Sequence, residues 1–334
     1  MKLTLLMVCQ NSEFDWLSNL ISNEQYMKTI LIVGGSGFIG TNLSEYFCER
    51  GIKVINFSRS PSHVHHENLI DICGDCKNTT ILNEIFANYK IDIVLHSLTS
   101  FTAMDEVGSS QEVLATNLSA FIDLIGIMKN HGVKKLVYIS SGGSIYGMAD
   151  APIKETHIIS PVSFYGWMKE SCEHYLEFAS RLDSEFNFLI LRPANVYGKY
   201  QKIERIIGVA LRNAIIGKSM DIYGDVTTCK DYIHIDDFCE IVEKLMQSQK
   251  WNEIYNVGSG VGTSIEDILK YAQIIANNKI EINYHERKSG DVPYNILDIG
   301  KLKETINKSN FVSVESGMHD MYKYVLSITN RESY

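Results

Sequence analysis

The stretch Thr29-Ile30-Leu31-Ile32-Val33-Gly34-Gly35-Ser36-Gly37-Phe38-Ile39-Gly40 decides how this chain of 334 residues folds. Its first five residues form an uninterrupted β-rich run, the pattern of a short strand buried on both faces. The glycines that follow satisfy G-x-G-x-x-G (Gly35, Gly37, Gly40) and also the wider G-x-x-G-x-x-G (Gly34, Gly37, Gly40). From Phe38 the apolar residues recur at helical spacing. A tight turn needs a residue tolerant of positive φ, a pyrophosphate needs backbone within contact distance, and a helix N-terminus supplies N–H donors with a favourable dipole. In this strand-turn-helix context the glycines predict a dinucleotide site.

The same alternation continues outward. Residues 53–57, 91–95, 136–139 and 188–191 read as further strands, and residues 38–50 as the first helix. Short β-rich runs separated by helical stretches give a parallel sheet with helices on both faces, so the expected fold is α/β, a Rossmann-like doubly wound sheet. After about residue 195 the pattern loosens, which suits a smaller C-terminal lobe. The expected division is an N-terminal extension over 1–26, a mainly dinucleotide-binding domain over 27–195, and a mainly substrate-binding lobe over 196–334, parts of which return to the first domain. In the extension the apolar run after Lys2 is too short for a signal sequence and no small-residue cleavage site follows. Met27 is a candidate start.

Composition narrows the function. Thirty-one Lys and Arg face 40 Asp and Glu, a net charge of −9, which argues against nucleic acid or an anionic membrane as partner. Five prolines and no low-complexity tract exclude a disordered or fibrous chain. No apolar run approaches the roughly 18 residues of a spanning helix. The seven cysteines are scattered and odd in number, as expected of reduced thiols in the cytoplasm. Cys73 and Cys76 form a C-x-x-C without a second pair for zinc, and His63, His65 and His66 lie in a polar stretch without ligand spacing, so no metal is expected.

Cofactor choice is read at the end of the second strand. Ser58 and Arg59 stand where a ribose-binding carboxylate is usual, and an arginine suits a 2′-phosphate, so NADP(H) is favoured, with NAD(H) acceptable if Arg59 is a surface residue. Asp75 is placed either to meet the adenine amino group or to cap its loop. A second motif, Tyr165-Gly166-Trp167-Met168-Lys169, follows the strand over 136–139 and the cluster Ser140-Ser141-Gly142-Gly143-Ser144-Ile145-Tyr146-Gly147. Tyr and Lys one helical turn apart share a helix face, so an ammonium beside a phenol would favour the ionised form and make a usable proton donor and acceptor.

With these motifs the sequence resembles the extended branch of the short-chain dehydrogenase/reductase superfamily, particularly its nucleotide-sugar epimerases, dehydratases and 4-ketoreductases. The resemblance covers roughly residues 28–300. It also rests on Thr116-Asn117-Leu118, Leu191-Arg192-Pro193-Ala194-Asn195-Val196-Tyr197-Gly198, Lys230-Asp231-Tyr232-Ile233-His234-Ile235-Asp236-Asp237, Tyr255-Asn256-Val257-Gly258 and Gly290-Asp291-Val292-Pro293. It implies that Tyr165 is the catalytic acid/base, that Lys169 holds the nicotinamide ribose and tunes the tyrosine, and that Pro193 to Asn195 run beside nicotinamide and sugar. It further implies cofactor contacts from Gly34, Gly37, Phe38, Ile39, Gly40, Cys76, Leu98 and Asn117, and substrate contacts from Asn195, Tyr223, Lys230, Lys288 and Asp291. In relatives the helices corresponding to residues 110–131 and the one beginning at Tyr165 pair across a dimer, so a homodimer is expected.

Two departures carry information. Gly142 stands where many relatives have a Ser or Thr that shares the substrate hydroxyl, so Ser141 or Ser144 must lend its hydroxyl, with Ser144 preferred. The diphosphate clamp has Lys230 and Lys288, with Arg287 beside the latter, where relatives often have arginines; lysine binds phosphate as a point charge without the bidentate fork. Gly143 and Ser144 replace the acidic pair that dehydration requires, which disfavours a 4,6-dehydratase. The expected activity is reduction of a nucleotide-linked 4-keto-6-deoxyhexose, for example dTDP-4-keto-6-deoxyglucose, for deoxysugar synthesis. The alternatives are a 4-epimerase of UDP-hexoses or their N-acetyl forms with tightly bound NAD, and a catalytically silent NADP-binding regulator.

Overall fold

A computed structural model describes residues 29–101, 110–150, 152–287 and 292–332. The expected extension over 1–26 lies outside the described residues, as do Lys288 and Asp291. The first half runs β1 (Thr29–Val33), α1 (Phe38–Glu49), β2 (Lys53–Ser58), β3 (Leu69–Cys73), α2 (Thr79–Asn88), β4 (Ile93–His96), α3 (Ser110–Leu114), α4 (Ala120–Asn130), β5 (Lys135–Ile139), α5 (Phe164–Leu182) and β6 (Asn187–Pro193). The second half runs β7 (Asn195–Tyr197), α6 (Ile206–Ile216), β8 (Met220–Tyr223), β9 (Cys229–His234), α7 (Ile235–Gln247), β10 (Glu253–Val257), β11 (Gly262–Ser264), α8 (Ile265–Ala276), β12 (Ile282–His285), β13 (Tyr294–Asn295), α9 (Gly300–Ile306) and α10 (Val314–Glu332).

Seven parallel strands form the main sheet in the order β10-β6-β5-β4-β1-β2-β3. Side chains alternate across it. Ile30 and Ile32 join the core beneath α1, α7 and α9, whereas Leu31 and Val33 join the core beneath α2, α4 and α5. Burial on both faces explains why these strands read as continuous apolar runs. The sheet is the Rossmann-like α/β fold expected, and β10 shows the chain after residue 195 returning to it.

The strand order reverses at β1, which pairs with β2 on one side and β4 on the other. A crevice at the carboxyl ends of the strands opens at such a switch point. A third core, including Leu211, Ile268 and Met321, packs α6, α8 and α10 into a lobe beside it. There β9 pairs with β7, β11 and β13, and β8 pairs with β12.

The helical run expected over 110–131 is not continuous. A π-helical turn, Ala115–Ser119, separates α3 from α4. Its extra residue per turn disturbs the ordinary ladder, and such turns often sit at functional sites. Here two buried thiols donate to its carbonyls, Cys76 Sγ to Thr116 O at 3.4 Å and Cys172 Sγ to Asn117 O at 3.6 Å.

Candidate active site

The glycine turn closes at the carboxyl end of β1. Gly34 adopts φ +89°, and a Cβ there would approach the Leu98 backbone to 2.7 Å, so position 34 takes only glycine. Gly37 caps α1 without a side-chain bond, and the first turn of α1 carries no acidic residue. That leaves the positive end of the helix dipole facing the crevice, a fit for a pyrophosphate. Phe38, Ile39 and Gly40 form this first turn.

At the end of β2, Ser58 Oγ accepts from Ser36 N at 3.1 Å, which ties the strand end to the glycine turn. Arg59 is exposed. Asp75 caps its own loop through Lys77 N at 2.9 Å and pairs with Lys77 at 3.7 Å. Cys76 is buried with its thiol turned to the π turn, so its side chain serves packing there; Cys73 is exposed. The Asn117 side chain is consumed internally: it accepts from Ser100 N at 3.0 Å and donates to Ser100 Oγ at 2.7 Å and Val113 O at 2.8 Å.

Across the crevice, Tyr165 sits in the first turn of α5, where the Ser163 hydroxyl caps the helix through Gly166 N at 3.1 Å. Ser141 is the serine beside the Tyr165 phenol, and its side chain pulls that phenol down toward its ordinary value. The Ser144 backbone N–H turns back to Ser141 O at 3.5 Å. The glycine at 142 has a steric reason. A Cβ there would lie 2.8 Å from both Arg192 O and Leu297 Cδ1. Gly142 N donates to Pro193 O at 2.8 Å, and Asn295 Nδ2 donates to Gly142 O at 3.1 Å. Position 142 is therefore a packing point between the serine loop and Pro193.

Lys169 is buried one turn below Tyr165. Its Nζ donates to Ile139 O at 2.8 Å and lies 5.0 Å from the Tyr138 ring centroid and 5.8 Å from that of Tyr165. Burial lowers the ammonium to about 8. The expectation that this ammonium favours an ionised Tyr165 needs correction. Burial raises the phenol above its ordinary value, and the groups that pull it back are the Ser141 side chain and the charge of Arg205, just before α6. Desolvation outweighs both.

Sequence reasoning missed the network beneath these groups. Glu173, one further turn along α5, forms a buried ion pair with Arg192 of β6 at 2.7 Å and is bonded to the Ser140 hydroxyl. Arg192 also donates to Tyr146 Oη at 2.9 Å, and Tyr146 donates to Asn256 Oδ1 at 2.7 Å. The signal was an acidic residue on the buried face of α5, on the side that carries Lys169. The pair holds the serine loop, α5 and the strand leading to Pro193 in one frame.

On the lobe side, Asn195 Nδ2 donates to Asp231 O at 2.9 Å. The buried Asp231 carboxylate accepts from Ser259 N, Ser259 Oγ, Gly260 N and Leu297 N at 2.9, 2.7, 3.1 and 3.4 Å. Burial still pushes it up to about 6. Lys230 is half-buried beside it. Tyr223 is exposed and stacks on His285 with centroids 4.9 Å apart, and Arg287 pairs with Asp225 at 2.8 Å. Among the described residues no group of three or more His, Cys, Asp or Glu side chains is placed to hold a metal ion, and no helix is long and apolar enough to cross a membrane.

Known proteins share this fold. The model of the NAD dependent epimerase/dehydratase family matches residues 30–258. The dTDP-4-dehydro-6-deoxyglucose reductase of Escherichia coli is 25% identical over 307 residues, covering 89% of this chain and 97% of that one. The UDP-glucose 4-epimerase of Thermotoga maritima, solved with UDP-glucose, is 30% identical with a TM-score of 0.84, covering 90% of this chain and 99% of that one. The UDP-glucose 4-epimerase of Thermus thermophilus, solved with NAD, shares the fold at 24% identity and a TM-score of 0.80, covering 89% and 99%.

Proposed function

Because the chain belongs to the NAD dependent epimerase/dehydratase family and is a nucleotide-sugar enzyme of that kind, we propose that it reduces the 4-keto group of a nucleoside-diphosphate-linked 6-deoxyhexose. The observation that carries this reading is Ser141 beside the Tyr165 phenol, with Lys169 one turn below and its Nζ 5.8 Å from that ring. A nicotinamide dinucleotide, when bound along that turn, supplies or accepts the hydride. Tyr165 moves the proton at the sugar oxygen, Ser141 shares that oxygen, and Lys169 orients the tyrosine's helix face and meets ribose hydroxyls. Asn195, Tyr223 and Lys230 line the lobe side, where a nucleotide base and diphosphate find an aromatic face and a cation.

Arg59 supports NADP(H), while its exposure and the NAD found in the Thermus epimerase support NAD(H). The likeness to the Thermotoga epimerase favours a second reading, 4-epimerisation with the dinucleotide retained. The chain pairs as a homodimer through α5 and α4. Incubation with dTDP-, GDP- and UDP-sugars separates the readings. Stoichiometric loss of reduced dinucleotide with a 4-keto substrate supports reduction, and interconversion of epimers without added cofactor supports epimerisation. No turnover with any of them removes both.

A further inference from the structure

We infer that Asp71 of β3 sets the choice of dinucleotide, favouring a free adenosine 2′-hydroxyl over a 2′-phosphate, an inference that rests on the dinucleotide reading above. Asn56 is fully buried in β2, with its carboxamide against Gly35 of the glycine turn. Its Nδ2 donates to Asp71 Oδ1 at 2.5 Å, and its Oδ1 accepts from Ser58 Oγ at 3.2 Å. Ser58 Oγ in turn accepts from Ser36 N at 3.1 Å. The second Asp71 oxygen accepts from Ser62 N at 2.7 Å, which anchors the loop that carries Arg59.

Asn56 lies opposite Asp71 in the β2–β3 register and Ser58 opposite Cys73, so Asn56, Ser58 and Asp71 project from one face of the sheet. One carboxylate therefore stands two hydrogen bonds from the hydroxyl at the expected ribose corner. The acidic group missing from the end of β2 is present on the neighbouring strand. A 2′-phosphate at that corner would bring its charge close to the Asp71 carboxylate, whereas an uncharged 2′-hydroxyl meets no such repulsion. Asp71 and Arg59 are both exposed, so water and salt screen both charges; Asp71 differs in being fixed in place by Asn56 Nδ2 and Ser62 N. Asp71 touches no cofactor atom in this account. It acts through Asn56 and Ser58 and through its field.

The test is calorimetric titration of the full chain, wild type, Asp71→Asn and Asp71→Glu, with NADH and NADPH. Wild type is expected to bind NADH more tightly. D71N should shift the ratio of the two dissociation constants toward NADPH by about tenfold, the scale of one screened charge pair, and D71E should keep the wild-type ratio. A role confined to folding would weaken both ligands together and leave the ratio unmoved, which overturns the inference, as does a wild type that prefers NADPH. Should D71N fail to fold, wild type is titrated with 5′-AMP and adenosine 2′,5′-bisphosphate; tighter binding of the bisphosphate overturns the inference and tighter binding of 5′-AMP supports it. Failure of wild type to bind either dinucleotide removes the dinucleotide reading as well, whereas an unmoved ratio with both bound removes only the role of Asp71.

Discussion

Ser141 pulls the Tyr165 phenol down against the rise that burial gives it, although one residue lies in the loop after β5 and the other in the first turn of α5. The backbone brackets Ser141 on both sides: Ser140 N donates to Leu191 O at 2.7 Å and Gly142 N to Pro193 O at 2.8 Å. The backbone around Ser141 is thus held by β6, the strand that ends beside the expected nicotinamide. Tyr165→Phe should lower turnover by about 100-fold to 10,000-fold with dinucleotide affinity nearly unchanged, the usual range for acid/base assistance. Ser141→Ala should cost about 100-fold, and Ser144→Ala should stay close to wild type. Steady-state kinetics on the three variants decides between the serines.

Gly142→Ser should not restore a lost hydroxyl. The added side chain meets Arg192 O and Leu297 at 2.8 Å, and overpacking of this kind costs about 1–3 kcal/mol. The expected outcome is a lower Tm with reduced turnover. A Gly142→Ser variant that melts with wild type and works faster would place the substrate hydroxyl at 142 after all.

Lys169 makes stability depend on pH in a defined direction. Its folded value is lowered from 10.5 to about 8 by burial, so its contribution is present above the unfolded value and is lost as pH falls through about 8. Between those values the unfolded chain binds the extra proton, and each pH unit is worth about 1.4 kcal/mol at most. Wild type should therefore gain Tm on Lys169→Met as pH rises from 8 toward 10, measured without cofactor. A constant difference between the two proteins over that range would show an ammonium that burial does not penalise.

The buried pair of Glu173 and Arg192 should be costly to halve and cheaper to remove whole. Glu173→Gln leaves the Arg192 guanidinium without its charge partner in a dry site, a loss of about 3–5 kcal/mol, whereas replacing both residues by apolar ones of similar volume costs much less. Chemical denaturation of Glu173→Gln and of the Glu173→Leu/Arg192→Met double variant tests this. Equal losses would mean that water reaches the pair.

Much of this was legible because periodicity and glycine spacing are local. The run from Thr29 to Gly40 carries its own strand, turn and helix, and Tyr165 and Lys169 share a helix face whatever surrounds them. What stayed hidden depends on partners distant in sequence. Nothing near Gly142 announces that Leu297 fills the space beside it, and Asn56 and Asp71 reveal their pairing only once β2 and β3 align. The π turn at 115–119 was invisible for a related reason: its apolar residues keep an approximate helical period, while the thiols of Cys76 and Cys172 that bond its carbonyls come from elsewhere. The electrostatics followed suit, because the burial that raises Tyr165 is a property of the packed crevice.

The proposed dimer gives the last expectation. On α5 the side chains of Trp167, Phe178 and Leu182 are 43%, 48% and 69% exposed. They recur at helical spacing on the face turned away from Lys169 and Glu173. On α4, Ile122 is half-buried and Gly126 exposed, with open space above the glycine. Burial, and then the charge of Asp123 of α4, push the Tyr175 phenol of α5 up. An apolar stripe on adjacent helices is most economically covered by the same stripe of a second copy, since a two-fold interface is self-complementary. Phe178→Glu with Leu182→Glu places like charges in that interface and should give a monomer with the far-UV spectrum of wild type. Light scattering coupled to size exclusion measures it; a wild type already monomeric at tens of micromolar, or a double variant still dimeric, would place the contact elsewhere or remove it.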